Sequence, residues 1–243
     1  MNRSITPPPP QAMAVEALTG LQIPRLFLRA PNLAFASRGA GERVLVWPGF
    51  GAGDVSTLPL RSYLSYLGYR PTGWGIGRNN GDVLALLDLL RAQVVEQASQ
   101  APVTIIGWSL GGYLAREVAR DCPELVRRVI TLGSPVVGGP KYTAVAQAFA
   151  AGGDSLDVIE ALVEARYQRP LTVPVTAVYS KLDGVVAWRA CIDDRSPNVE
   201  HVEVTSTHLG LGFAADVLEI IANRLVRTTR AARSDTEIAR FTT

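Results

Sequence analysis

The sequence predicts an α/β fold with a mostly parallel central sheet, helices on both faces and a small helical cap inserted around residues 136–170. Short apolar runs rich in β-branched residues alternate along the chain with longer amphipathic stretches. The runs are nearly unbroken, which is typical of strands buried on both faces of a parallel sheet. The 243 residues, 47% of them hydrophobic, are enough for one large core.

Six strands are expected, because six short apolar runs are bounded by turn-forming residues. They are ERVLVW (42–47), RPTGW (70–74), PVTIIG (102–107), RRVITLG (127–133), VPVTAVYS (173–180) and NVEHVEVTS (198–206).

The helices are expected between these strands, where apolar residues recur at helical spacing. The main ones cover residues 56–69, 81–98, 110–122, 155–167 and 211–227. The first ends near Gly68, and the cap helix at 155–167 has Asp154 or Ser155 as its N-cap. Its apolar stripe can face the end of the sheet that it covers while Glu160, Glu164 and Arg166 meet water.

The domain itself is expected to span residues 31–227. Residues 1–30 contain four consecutive prolines and predict a flexible leader, and residues 228–243 predict a polar tail. The leader lacks the apolar segment of a signal peptide, and no run is apolar enough to span a bilayer. We therefore expect a cytoplasmic protein without stable membrane insertion; its oligomeric state is left open.

The composition gives no reason to expect a nucleic-acid partner, because the formal net charge is only +2. Cys122 and Cys191 lack the spacing of metal ligands, so no metal site is expected. Two free thiols are expected, with a disulfide between them left open.

The stretch GWSLGG (107–112) places Ser109 at the end of a central strand and at the first step into a helix. Ligands of open α/β sheets bind at this edge. Gly107 and Gly111 remove side chains that would clash in such a sharp turn, so the hydroxyl can stand clear of the backbone. The pattern predicts that Ser109 is a nucleophile.

A serine nucleophile needs a base, and the chain has two histidines. His201 lies inside a predicted strand, which favours a structural role. His208 follows that strand at the same sheet edge as Ser109, and is the predicted base. The predicted acid is Asp183, in the loop after strand 173–180, with Asp193 and Asp194 as rivals.

The order Ser109, Asp183, His208 resembles that of α/β-hydrolases. The sequence is similar to bacterial esterases and lipases of that family over about residues 33–227, in GWSLGG (107–112), LGSP (132–135), SKLDGVVAW (180–188) and THLGLG around His208. The resemblance implies an oxyanion hole made by the backbone N–H groups of Leu110 and Phe50. The loop PGFGAGD (48–54) departs from the family's usual His-Gly start, because Trp47-Pro48 stands before Gly49.

We accordingly expect a carboxylic ester hydrolase that uses no cofactor, acts through an acyl-enzyme, and prefers short- to medium-chain acyl esters. Trp108, Asn79, Val136 and Leu209 are expected to bind the substrate. An acyltransferase or a long-chain lipase with the same triad is the alternative, followed by a non-catalytic binding module. A dinucleotide site in residues 48–54 is disfavoured, because Asp54 occupies the third glycine position.

Overall fold

The computed structural model describes residues 5–151 and 155–226, and it confirms the α/β fold with a six-stranded parallel sheet. The strands are β1 (Arg43–Trp47), β2 (Arg70–Thr72), β3 (Val103–Trp108), β4 (Val126–Leu132), β5 (Val175–Ser180) and β6 (Val199–Val204). All neighbouring strands pair in parallel, in the order β2-β1-β3-β4-β5-β6. Each of the six predicted strands is present, with bounds shifted by a few residues.

The described α-helices are α1 (Gln22–Ala34), α2 (Leu58–Tyr66), α3 (Val83–Gln97), α4 (Leu110–Asp121), α5 (Ala146–Ala150), α6 (Leu156–Tyr167) and α7 (215–226). Five of these seven described helices, α2 to α6, occupy connections between strands, whereas α1 precedes β1 and α7 follows β6. The N-cap of α3 is Asp82, whose carboxylate accepts a hydrogen bond from the backbone N–H of Ala85 at 3.2 Å. Such a cap satisfies one of the free amides of the first helical turn.

The core lies in two layers, one on each face of the sheet, because alternate strand residues point to opposite faces. In β1, Leu45 and Trp47 pack with α3 and α4, whereas Val44 and Val46 pack with α2 and α7. All four are at most 1% exposed. Each fully buried Val or Leu stabilises the fold by roughly 1.5–3 kcal/mol.

The strand order changes direction beside β1. The chain passes from β1 to β2 on one side, then crosses to β3 on the other side of β1. The loops after β1 and β3 therefore diverge at the carboxyl edge of the sheet. A crevice at such a switch point is the usual ligand site of open α/β sheets.

Residues 1–30 are expected to form a flexible leader, and the structure describes residues 5–30 of that range, mostly in helical elements. Residues Pro10–Leu21 form a 3₁₀ helix that leads into α1. Glu16 and Gln22 are only 7% and 4% exposed, although α1 also leaves Phe27 77% exposed on its outer face. Proline suits the first positions of a helix, so the proline run precedes helical structure rather than preventing it. The predicted tail at 228–243 lies outside the described residues.

The cap expected around residues 136–170 contains a short 3₁₀ helix (Gly139–Tyr142), α5 and α6. Ser155 caps α6 by accepting a hydrogen bond from the N–H of Val158 at 3.3 Å; the other candidate, Asp154, lies outside the described residues. The apolar residues of α6 differ in exposure: Val163 is buried, whereas Leu162 is 52% exposed.

The charged side chains of α6 form ion pairs and hydrogen bonds, whereas the sequence suggested that they meet water. Arg166 forms ion pairs with Glu117 and Asp121 of α4. Glu160 accepts hydrogen bonds from Lys141 at 2.7 Å and Tyr142 at 2.8 Å. Arg166 thus ties the cap to α4, whereas the hydrogen bonds of Glu160 join two helices within the cap.

Candidate active site

Ser109 occupies a strained turn between β3 and α4. Its backbone has φ 53° and ψ −121°, and it is the one non-glycine residue with positive φ in the described part of the chain. Such a conformation costs about 1–3 kcal/mol and persists only where surrounding structure imposes it. A β-carbon at Gly107 would lie 2.3 Å from the carbonyl oxygen of Gly111, and one at Gly111 would lie 2.5 Å from that of Trp47. Larger residues at either glycine would therefore push the turn open.

Two backbone amides near Ser109 are available to bind an anion. Leu110 is the first residue of α4, where N–H groups have no partner inside the helix. Phe50 lies in the loop after β1, whose Gly49 packs on Ser109: a β-carbon there would lie 3.1 Å from Cβ of Ser109. Within residues 5–151 and 155–226, neither amide makes a hydrogen bond. An oxyanion hole requires such donors.

Asn79, expected to bind the substrate, forms hydrogen bonds that hold this loop. It is 0% exposed, and its side-chain N–H group donates to the carbonyl oxygen of Pro48 at 3.0 Å. Its backbone carbonyl accepts from Gly51, and its backbone N–H donates to Ala52, both at 2.8 Å. Asn79 is fully buried and these groups are engaged, so it holds the loop that carries Phe50; its contact with a substrate stays a prediction.

Asp183 and His208 are brought together from two different loops. Oδ2 of Asp183 lies 2.7 Å from Nδ1 of His208, and their side chains are 1% and 6% exposed. Oδ1 of Asp183 accepts backbone hydrogen bonds from Val185 at 2.9 Å and Val186 at 2.7 Å. A carboxylate so placed favours the tautomer with the proton on Nδ1, which leaves Nε2 able to accept one.

Gly133 and Trp108 link this pair to the Ser109 turn. The N–H of Ser109 donates to Leu132 at 2.8 Å, and a β-carbon on the next residue, Gly133, would lie 2.9 Å from Oδ2 of Asp183 and 3.1 Å from Nδ1 of His208. Gly133 also has φ 55°, which favours glycine. The indole of Trp108 donates to the carbonyl oxygen of His208 at 3.2 Å, with ring centroids 6.1 Å apart. Trp108, expected to bind substrate, thus supports His208.

The other two expected substrate contacts differ in exposure. Val136 is 4% exposed, and its amide donates to the carbonyl oxygen of Ala190 at 2.9 Å, which joins the start of the cap to the segment Trp188–Cys191. Leu209 is 49% exposed and directly follows His208. Of the four expected contacts, Leu209 is the most accessible at this edge.

The rival residues form a separate buried network. Asp193 is ion-paired with the buried Arg116, and it accepts hydrogen bonds from Tyr167 at 2.7 Å and from the N–H of Ser196 at 3.0 Å. Burial opposes its charge, but Arg116 and these hydrogen bonds hold the pKa of Asp193 well below its ordinary value. Nε2 of His201 accepts the backbone N–H of Asp193 at 3.0 Å. Burial lowers the pKa of His201, which keeps that ring neutral.

Asp194, the second rival, accepts a hydrogen bond from Tyr167 at 3.3 Å at the edge of the same network. Neither rival carboxylate contacts His208, so Asp183 alone of the three is placed beside the predicted base.

Glu16 is a site neighbour that sequence reasoning missed. Its carboxylate accepts hydrogen bonds from the backbone of Gly184, His208 and Leu209. The available signal was faint: Glu16 is the one acidic residue before Glu42 in a segment otherwise rich in proline and apolar residues.

No group of three metal-ligating side chains that could hold an ion is found within the residues that the structure describes. Both Cys122 and Cys191 are free thiols. Among the described helices, none combines the length and apolar character required to cross a bilayer.

Comparisons with known proteins agree on the fold. The sequence model of a family described as alpha/beta hydrolase fold matches residues 30–155, just over half of the chain. Homoserine O-acetyltransferase from Deinococcus radiodurans is 25% identical over 144 residues, or 56% of this chain and 43% of that protein. The chain therefore matches less than half the length of this curated relative.

Two solved structures illustrate the likeness. Alpha/beta hydrolase domain-containing protein 10 from mouse superposes with a TM-score of 0.60 at 18% identity, covering 79% of this chain and 92% of that one. Est1E from Butyrivibrio proteoclasticus also gives 0.60 at 15% identity, over 78% of this chain and 89% of its own. At these identities the likeness concerns the fold.

Proposed function

The chain belongs to the α/β-hydrolase family, and we propose that it is a serine hydrolase that cleaves carboxylic esters through an acyl-enzyme intermediate. The observation that carries the proposal is the 2.7 Å hydrogen bond between Asp183 and His208, held beside the strained Ser109 turn. A serine, an imidazole and a buried carboxylate in this arrangement supply a nucleophile, a base and the group that orients the base.

In the first step, Oγ of Ser109 attacks the ester carbonyl while Nε2 of His208 takes its proton. The charge that develops on the carbonyl oxygen is held by the amides of Leu110 and Phe50, and Asp183 stabilises the imidazolium. Collapse of the tetrahedral intermediate breaks the bond to the alcohol oxygen, which receives the proton from His208. Water then attacks the acyl-enzyme with His208 again as base, releasing the acid and restoring Ser109.

The contact between the cap and the oxyanion loop supports a preference for short- to medium-chain acyl groups. Phe149 of α5 packs on Phe50 with ring centroids 5.2 Å apart, and a β-carbon at Gly81 would lie within 3.0 Å of both rings. This aromatic pair narrows the space beside the oxyanion loop. Each methylene that the pocket still buries is worth about 0.8 kcal/mol, or roughly fourfold in kcat/KM, until the pocket is full.

A series of p-nitrophenyl esters from acetate to palmitate tests this function, with Ser109→Ala as the inactive control. We expect kcat/KM to rise over the first few methylenes and then level off or fall. A maximum at palmitate, or a jump in rate at an oil–water interface, would favour a long-chain lipase instead. Absence of turnover across a broad panel of esters and thioesters would contradict an ester hydrolase.

An acyltransferase is the second candidate, because the Deinococcus radiodurans relative is named as a transferase of acetyl groups. An alcohol can attack the same acyl-enzyme as water, so the triad alone does not separate the two reactions. Product analysis with a hydroxyl-bearing amino acid added to an acetyl ester distinguishes them. A hydrolase gives free acetate at unchanged yield, whereas a transferase diverts most acetyl groups to the acceptor.

A further inference from the structure

The geometry points to Glu16 as a positioning residue of the active site, a role that rests on the proposed function. Glu16 lies in the N-terminal segment (residues 5–21), which precedes the matched family region at residues 30–155. The N-terminal segment packs on two loops of the site, and the carboxylate of Glu16 fixes the loop that carries Asp183 against the loop that carries His208.

The carboxylate of Glu16 bridges the two loops directly. Oε1 accepts hydrogen bonds from the backbone N–H groups of Gly184 and His208, both at 2.9 Å, and Oε2 accepts one from Leu209 at 2.8 Å. Gly184 directly follows Asp183, so one carboxylate group binds the backbone of His208 and of the residue next to Asp183.

A carboxylate suits this task better than any neutral side chain. It offers about four acceptor sites and no donor, so three N–H groups can converge on it, and hydrogen bonds to a charged acceptor are stronger than neutral ones. Burying a charge is costly unless it is fully hydrogen-bonded. Glu16 is 7% exposed, and its hydrogen bonds within the described residues all come from backbone amides of the two loops.

The rest of the N-terminal segment is fitted to the same loops. A β-carbon at Gly184 would lie 2.3 Å from the carbonyl oxygen of Ala12, so the segment runs directly over the loop after Asp183. The hydroxyl groups of Thr19 and Thr207 lie 2.6 Å apart, next to His208. A cavity of about 230 Å³ separates the proline run from the Asp183 loop, whose Trp188 forms part of its wall. The segment therefore contacts both loops at Ala12, Glu16 and Thr19, and leaves a cavity beside its proline run.

Glu16→Gln is the sharpest perturbation, because it keeps the shape but replaces one acceptor oxygen by a donor NH₂ group. In either orientation of the amide, that NH₂ group faces at least one of the three backbone N–H groups. A small misplacement of catalytic groups costs up to about 100-fold in rate, so we expect kcat to fall roughly 10- to 100-fold. KM should change little, because Glu16 is buried behind the loops.

The experiment compares the full-length wild type with Glu16→Gln, Glu16→Asp and the matched control Glu96→Gln, whose carboxylate is exposed at the surface. Steady-state kinetics on an activated ester give kcat and KM, and calorimetry gives Tm. Glu16→Asp should lie between wild type and Glu16→Gln, because it keeps the charge but is one methylene too short. A wild-type kcat in Glu16→Gln, whatever its Tm, would overturn the inference; if that variant does not fold, a wild-type kcat in Glu16→Asp would do so.

A second readout separates this inference from the proposed function. The proton shared by His208 and Asp183 should give a downfield imidazole N–H resonance, assigned by its loss in Asp183→Asn. We expect Glu16→Gln to lose or shift this resonance and Glu96→Gln to retain it. An unchanged resonance in folded Glu16→Gln would overturn the positioning role. If the wild type hydrolyses no ester but the resonance still depends on Glu16, the proposed function fails and the positioning role stands.

Discussion

Asp183→Asn replaces one oxygen of the Asp183 carboxylate, which makes three hydrogen bonds, by an NH₂ group. Oδ1 of Asp183 accepts two backbone hydrogen bonds, from Val185 and Val186, whereas Oδ2 faces Nδ1 of His208. An asparagine keeps its single carbonyl oxygen toward the two backbone donors, because the reverse orientation would place NH₂ against both of them. The NH₂ group therefore faces His208.

The size of the effect follows from the imidazole tautomer. An NH₂ group donates to Nδ1, so the ring proton moves to Nε2, and Nε2 can no longer accept the proton of Ser109. A wrong tautomer at unchanged geometry lowers kcat by about 10⁴-fold in serine hydrolases with this triad. We expect a loss of that order in Asp183→Asn, with a modest change in Tm because both backbone hydrogen bonds remain.

Measurement of kcat and KM on an activated ester, with Tm from calorimetry, checks this expectation. Asp194→Asn, an exposed carboxylate on a neighbouring loop, is the matched control and should keep wild-type turnover. Near-wild-type activity in folded Asp183→Asn would refute the reasoning. A larger loss in Asp194→Asn or Asp193→Asn, at unchanged Tm, would identify a different acid.

Three further predictions concern the surrounding residues. Asp193→Asn should lower the free energy of unfolding by about 3–5 kcal/mol, because it leaves the buried charge of Arg116 without its partner, yet the folded protein should keep most of its turnover; strong loss of kcat without loss of stability would contradict this. Because the pKa of His201 is lowered in the folded protein, the unfolded chain binds more protons below about pH 6.5, where an ordinary histidine titrates. The contribution of neutral His201 to the free energy of unfolding is therefore complete above that pH and is lost as the pH falls. Denaturant unfolding at pH 7.5 and pH 5 should therefore show a larger fall in the free energy of unfolding for wild type than for His201→Gln. An equal fall in the two proteins would count against this prediction. Gly133→Ala should reduce kcat at least tenfold by pressing on His208 from within 3.1 Å, and an active, stable variant would show that the pair tolerates displacement.

The parts of the fold that the sequence predicted well are those with local signals. Unbroken apolar runs specify strands of a parallel sheet without reference to distant residues. The Ser109 turn is equally local, because Gly107 and Gly111 are required within a few residues of the serine. The observed φ of 53° is the direct consequence of that short motif.

The contacts that the sequence did not predict join residues that are far apart along the chain. Asn79 holds Pro48 from 31 residues away, and Glu16 reaches His208 across 192 residues. The residues next to Asn79 and Glu16 in the sequence do not indicate which distant residues they contact. Asn79, a polar residue in a glycine-rich loop, therefore resembled a residue that lines a pocket. The proline run similarly resembled a flexible leader, because the contacts that hold the segment after it, such as the hydrogen bond between Glu16 and His208, come from loops near the opposite end of the chain.

Covalent labelling with a fluorophosphonate, followed by peptide mapping, tests the central claim most directly. The probe reacts with a serine only when a base activates the hydroxyl and an oxyanion hole holds the developing charge. We expect a single phosphonyl adduct on the peptide that contains Ser109, absent in Ser109→Ala and His208→Ala and retained in Ser134→Ala. An adduct at Ser134, or a folded protein that the probe leaves unmodified, would contradict the assignment of Ser109 as the nucleophile.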